Sequence, residues 1–382
     1  MSAKIFATVL AGCLFFLSAG LQPVLAGSNF SVLSEREEVY LNLENPEATL
    51  VLESRSIPLT RGVNEINFSW HNVQIDPDSL RLDFLEKEAD ARVVGTNYWD
   101  DNALTWEIYS DTSQQIEAGI YFLIDGFNRD ISYRVTHEPE EDFFKLREER
   151  TIFNHSGENF MNALLRLGHG YRVQRDFSAG ETRRLPVYRS DKLPVNRYLL
   201  YDAQKQASSQ RQRENELTPL PVNYEFYNTQ EKGLGDKKLP AGKARLYEIT
   251  DDRRQIFTGE DELGFTAPGD TFTLAAGLSR KVDIQRNTLE SERENITRDI
   301  ERNIQLYDLV ETVELTAESF HGETRVVRLK DYIDGEWEML DTSHSFERIN
   351  HRTIQFEIEL QPGEKEAITF RYRRKNIRED YR

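Results

Sequence analysis

The sequence predicts an all-β protein of two antiparallel, sandwich-like units built from hairpins, with little helix. Three observations lead there. Aromatic residues are plentiful, with 16 Tyr and 21 Phe, and such side chains suit a pleated, half-buried surface. Short runs alternate apolar and polar positions at the period of a strand, as in "TIQFEIEL", where Ile354, Phe356, Ile358 and Leu360 share one face. Finally, an apolar residue, two spacers and a glycine recur before such runs, in "LTRG", "IEAG", "FSAG", "LPAG", "LAAG" and "LQPG". Glycine enters a φ > 0 turn at little steric cost, so each is expected to close a hairpin.

In chain order, the first 26 residues come before any fold. Lys4, the apolar stretch "IFATVLAGCLFFLSAGL", Pro23 and the small Ala26 follow the three-part pattern of a secretory signal. Residues 1–26 are therefore expected to be removed on export to the periplasm or beyond. The rival is "LAGC" at 10–13, a pattern of lipoprotein cleavage that would leave Cys13 as a lipid-bearing N-terminus. That cut leaves only about eight apolar residues before it, at the low end of the usual range. Cleavage after Ala26 also removes the single cysteine, so disulfides would take no part in stability. No other apolar run approaches the roughly 18 residues needed to span a bilayer. The net charge is −18, and losing Lys4 takes it to −19. A surface that acidic repels phosphate backbones, which excludes nucleic acid as the partner.

The mature chain divides into an N-terminal β domain over 27–203, a linker over 204–221, a C-terminal β-sandwich domain over 222–378 and a tail, 379–382. The linker assignment rests on "QKQASSQRQRENELTPLP", which is dense in Gln, Ser and charge and has little apolar surface to bury. Helical signals are scarce. The best, "NTLESERENITRDIERNIQL" at 287–306, follows a helical stripe only in part and reads as a charged hairpin or one short helix.

Several segments in order resemble a family of secreted bacterial proteins of unknown function, some of them called mucoidy-inhibitor-A-like. In the second half these are "LPAGKARLYE", "FTGEDELGFTAPGDTFTLAAG", "SRKVDI" and "GEWEMLDTSHSFERINHRTIQFEIELQPGEKEAITFRYR". In the first half "WHNVQIDPDSLRL" and "IFNHSGENFMNALLRLGHG" correspond. The resemblance implies a β-rich exported domain, and it carries no reaction or ligand to named residues. The long coiled-coil insert of some members is missing, and 204–221 stands in its place.

Chemistry-bearing patterns are few. "LGDKKLPAGKARLYE" at 234–248 has the glycines and lysine of a phosphate loop, but six residues separate Gly235 from Gly242, and Ala244 follows Lys243 where a Ser or Thr would hold magnesium. Lys243 then reads as a solvated turn lysine. His155 and Ser156 are neighbours, and neighbours in a strand face opposite ways, so Asn154 to Gly157 reads as a turn and not a dyad. The acidic clusters "YWDD" at 98–101, "HEPEED" at 137–142 and "GEDE" at 259–262 lack the ligand spacing of a calcium loop and read as solvated loops. Tyr98, Trp99 and Trp106 are either core or a sugar-stacking platform, and Trp337 reads as a core anchor. No catalytic residue, metal site or cofactor is singled out. The expectation is a non-catalytic binding, scaffold or adhesion module of the bacterial envelope, with an envelope protein or glycan as ligand. The alternative is a carbohydrate-active hydrolase using two carboxylates in an aromatic-lined cleft.

Overall fold

The computed structural model describes residues 29–31, 33–86, 89–100, 102–138, 143–205, 219–235 and 237–378. The expected signal 1–26 with Cys13, most of 204–221, the end of 137–142, Asp101 and the tail 379–382 lie outside the described residues. Among the described residues 69% are strand and 2% helix, so the all-β expectation holds. None of these helices is long and apolar enough to cross a membrane.

Among the described residues five sheets carry the fold. Sheet I runs Asn29–Ser31, Gly62–Ser69, Ala103–Ser110, Ala91–Asp100. Sheet II runs Tyr171–Phe177, Phe160–Gly168, Glu38–Asn42, Thr49–Leu59, Gln114–Ile124, Arg81–Phe84. Sheet III runs Thr182–Pro194, Phe143–Asn154, Phe127–His137, Gly242–Ile249, Gln255–Leu263. Sheet IV runs Thr271–Ser279, Leu220–Tyr227, Asn196–Asp202, Arg325–Tyr332, Thr353–Leu360, Glu347–Arg348. Sheet V runs Val282–Arg298, Ile304–Ser319, Lys365–Arg378, Glu336–Thr342.

Alternating side chains from these sheets meet in three successive cores. In the first, Ile66, Phe68 and Trp106 of sheet I meet Val51, Ile57 and Phe122 of sheet II, with Phe68 and Trp106 rings 5.6 Å apart. The second sets Val135, Leu146 and Leu246 of sheet III against Phe226, Phe272 and Leu274 of sheet IV. The third joins Leu329 and Phe356 of sheet IV to Val313, Leu315 and Phe370 of sheet V. Trp337 anchors that last core as expected, its Nε1–H donating to His351 O at 2.7 Å. The face expected of Ile354, Phe356, Ile358 and Leu360 is buried there.

Strands from both sides of 204–221 meet within sheets. Phe127–His137 pairs in parallel with Gly242–Ile249. Asn196–Asp202 pairs with Leu220–Tyr227 and, in parallel, with Arg325–Tyr332. Segment 204–221 therefore connects neighbouring strands of one sheet, and three cores stand where two units are expected. Among the described residues four of the strand pairs are parallel, which requires crossover connections and not hairpins alone.

The recurring glycines do a different job from the one expected. Gly62 (φ +106), Gly180 (φ +77) and Gly363 (φ +74) do sit in left-handed turns. Each turn, however, passes the chain between sheets: II to I, II to III and IV to V. The remaining three are not turns between strands. Gly119 lies inside strand Gln114–Ile124, and Gly277 (φ +81) lies inside Thr271–Ser279 beside a register shift. Gly242 opens its strand, where a Cβ would come 2.5 Å from the backbone oxygen of Ile131. Close approach, not φ, is what requires glycine there. The segment 287–306 resolves as the hairpin, with Val282 opposite Ser319 at one end and Arg298 opposite Ile304 at the other.

A buried ion pair ties sheet III to sheet II. Arg150, fully buried, donates from Nε to Glu148 Oε1 at 2.9 Å and from Nη1 to the carbonyls of Leu167 and Gly168, the latter at 3.0 Å. Its guanidinium also lies 4.7 Å from the Tyr171 ring centre. All these partners are needed, because an unpaired charge at that depth is costly. Burial pushes the nearby Tyr133 phenol well above its ordinary range, so it stays protonated and donates to Pro240 O at 2.6 Å.

Candidate functional site

Sheet II carries apolar side chains on both faces, its outer ones set among polar residues. Its inner face builds the first core, and its outer face carries a row of side chains in register: Gln174, Leu164, Tyr40, Leu52 and Tyr121, from five adjacent strands. Beside that row stands a smaller one, Glu38, Ser54, Gly119 and Asp83. Gly119 has no spare space, since a Cβ would lie 2.9 Å from Leu52 Cδ1 and 3.1 Å from Leu85 Cδ2. With no side chain at 119, Leu52, Tyr121 and Leu85 pack together over the strand.

Above these rows runs a groove of about 970 Å³, at the upper end of the usual size for small-molecule sites. Leu85 and Met161, 40% and 63% exposed, stand along it. Met161 and Asn162 occupy a β-bulge between Phe160 and Ala163, and a bulge re-aims side chains out of the strand's alternation. Gln174 Nε2 donates to Asn162 Oδ1 at 3.2 Å, which fixes two amides at the lip. Exposed Glu35, Glu37, Glu38 and Glu117 form an acidic rim.

At one end of the groove two arginines close on a buried carboxylate. Arg36 Nε lies 2.9 Å from Glu53 Oε1, and Arg55 donates to Glu53 Oε2 from Nη2 at 2.7 Å. Arg36 Nη2 also reaches Glu158 Oε1 at 2.8 Å, and Arg55 Nη1 reaches Ser34 O at 2.6 Å. Glu53, 1% exposed, is thereby held by two cations. Both glutamates hold a positioning role in this arrangement, as each is engaged by an arginine and not turned toward open space.

The residues weighed from sequence fall elsewhere. Ser156 is buried and donates to Asn154 Oδ1 at 2.7 Å, whereas His155 is exposed with its ring 6.0 Å from Phe153. The turn reading holds and the two make no dyad. Lys243 sits on a strand, not in a turn, 3.5 Å from Glu260. Within "GEDE", Glu260 faces Lys243 and Arg245 while Asp261 accepts from the backbone N–H of Ala275 at 2.8 Å, so the carboxylates diverge. Among the described residues no three His, Cys, Asp or Glu converge to hold a metal. Trp106 is core, 1% exposed, while Tyr98 and Trp99 are 51% and 72% exposed; the three-ring platform is therefore not assembled. Trp99 Nε1–H donates to Thr105 Oγ1 at 2.7 Å.

The groove itself left a trace in the sequence. "EVYLN", "TLVLES" and "GIYFLI" place apolar residues on both faces of a strand, the pattern of a strand covered on two sides. No protein-family model matches the chain, and no curated protein matches it either. The resemblance drawn above thus rests on its segments alone.

Proposed function

We propose that the chain is an exported, non-catalytic binding module of the bacterial envelope that holds an extended ligand in the groove on sheet II. The observation that carries this reading is the in-register row Leu164, Tyr40 and Leu52 lying half-buried under an open groove. Apolar surface left uncovered on a sheet marks an interaction site more often than chance exposure does. Export follows from the secretory pattern of residues 1–26.

The hydrolase reading draws less support. A general acid needs a desolvated carboxyl, and its partner a second carboxylate across the sugar. The rim glutamates are exposed, and the desolvated Glu53 is occupied by Arg36 and Arg55. The test is capture from envelope extract and on glycan arrays, with wild-type protein beside Leu164→Lys. Leu164 faces outward, so this variant should fold normally and lose the captured ligand. Equal capture by both proteins would remove the groove from the function. Release of new reducing ends from a retained glycan, abolished by Glu117→Gln, would favour the hydrolase.

A further inference from the structure

Sheet III carries an unusual row on its outer face. Arg189, Arg147, Arg134 and Arg245 stand directly opposite one another on four adjacent strands, ending at Glu260 on the fifth. Adjacent strands lie about 4.8 Å apart, so the row extends over about 15 Å. Like charges directly opposite one another destabilise a sheet, and this chain has 66 acidic residues with which to separate them.

Carboxylates relieve only the ends. Asp191 pairs with Arg189 at 2.5 Å, and Glu260 is shared by Arg245 at 3.3 Å and Lys243 at 3.5 Å. Arg134 in the middle has an amide, Gln255 Oε1 at 3.2 Å, and the Tyr247 ring at 5.0 Å. Among the described residues no carboxylate pairs with Arg134 or Arg147. Two small cavities lie along this row, each holding one pair of its arginines. One, of about 280 Å³, has Arg147, Arg189 and Tyr188 with Pro186 and Val187; the other, of about 100 Å³, has Arg134, Arg245 and Tyr247, with Arg184 and the carboxylate of Glu149, 3.8 Å from Arg184, beside them.

We infer that the outer face of sheet III binds an anionic polysaccharide whose sugar units carry carboxylate or sulfate groups. Guanidinium forks match such oxyanions in a bidentate way, and the half-buried Tyr247 ring beside Arg134 and Arg245 adds an amphipathic surface for a sugar ring. Two arginine pairs side by side, Arg147 with Arg189 and Arg134 with Arg245, fit a ligand that repeats its own charged unit. A nucleic-acid duplex, with a charge every ~1.7 Å, meets far stronger repulsion from a chain of net charge −18.

The test measures binding of polygalacturonate and dextran sulfate to the full chain by calorimetry, with poly-glutamate as the peptide control. The double variant Arg134→Gln/Arg147→Gln should weaken binding at least tenfold while its melting temperature holds or rises. Arg134→Lys/Arg147→Lys keeps the charge and loses the fork, and it should recover only part of the affinity. Preference for one polymer over the other tells carboxylate from sulfate, and either supports the site. No binding of either polymer, an unchanged affinity in the Gln variant, or equal affinity for poly-glutamate would overturn it. Tyr40→Ala in the groove on sheet II should leave this binding unchanged, which separates the two sites.

Discussion

Arg150 and Arg147 lie three residues apart on one strand and meet opposite fates. Arg150 points inward, fully buried, and every direction of its guanidinium is answered by Glu148, two carbonyls or Tyr171. Arg147 points outward into a line of other arginines. The strand's two-residue period makes the separation possible, since an inward and an outward position alternate without a turn. The contrast teaches how to tell a structural charge from one kept for another molecule. A charge that serves the fold has its partners in the fold. Arg328 of sheet IV obeys the same rule, gripped by Glu225 at 2.8 Å and Glu357 at 2.6 Å with the Tyr198 ring 3.9 Å away.

The largest effect should therefore come from the satisfied side. Arg150→Met leaves Glu148 buried without its cation, and breaking such a pair costs about 3–5 kcal/mol. Chemical denaturation should report this loss. Glu148→Gln/Arg150→Met should recover much of it, because no charge remains unpaired. Equal losses in the single and double variants would mean that lost contacts to Leu167, Gly168 and Tyr171 matter more than the ion pair.

Gly242→Ala comes next. Gly242 opens the strand that pairs with Phe127–His137, and the new Cβ meets a backbone oxygen, Ile131 O, that cannot swing away. Overpacking of that kind costs about 1–3 kcal/mol. Gly363→Ala has open space around it but a φ of +74, so only the backbone term applies, about 1 kcal/mol. Thermal melting that ranks Gly363→Ala below Gly242→Ala would reverse this order of causes.

The satisfied arginine of sheet IV also predicts a pH dependence. Hydrogen bonds from Arg328 hold the Glu225 carboxyl below its ordinary value of 4.5. The folded value is the lower one, so this stabilisation is complete above about pH 4.5 and drains away as pH falls through the folded value. Arg328→Met should flatten the acid side of the stability profile between pH 5 and 3, as followed by urea unfolding. An unchanged slope would show that other carboxylates set the acid limb.

These sites differ in how far the sequence disclosed them. Alternation in "TIQFEIEL" gave the buried face of Ile354 through Leu360 at once, because a strand's faces are local. The six glycine patterns disclosed where the backbone needs glycine but not why. A left-handed turn looks the same whether it joins two strands of one sheet or passes between sheets. Tyr40, Leu52 and Leu164 were readable as second apolar faces of their strands, yet not as one row, because pairing Glu38–Asn42 with Phe160–Gly168 is parallel and non-local. The arginine row was hidden most completely. Its members come from positions 134 to 245, and one residue of slip in any strand would turn that side chain to the core.

The smallest predicted effect bears on that row most directly. Arg134→Gln/Arg147→Gln removes two like charges that face each other across adjacent strands. Cross-strand pair terms are worth about 0.2–1 kcal/mol, so stability should rise by a few tenths up to about 1 kcal/mol. Lys243→Ala provides the reference, because an exposed lysine 3.5 Å from its carboxylate falls within about 0.5 kcal/mol of neutral. The gain should shrink in high salt, which screens exposed charges from one another within a few ångströms at molar concentration. A loss of stability in the double variant would mean that Arg134 and Arg147 are held by the fold after all, for example through Gln255 and the Tyr247 ring. The outward face of the strand would then follow the same rule as Arg150, and the case for a ligand on sheet III would fall with it. A gain that vanishes in salt leaves the row as a charge arrangement the fold opposes, held open for an anion.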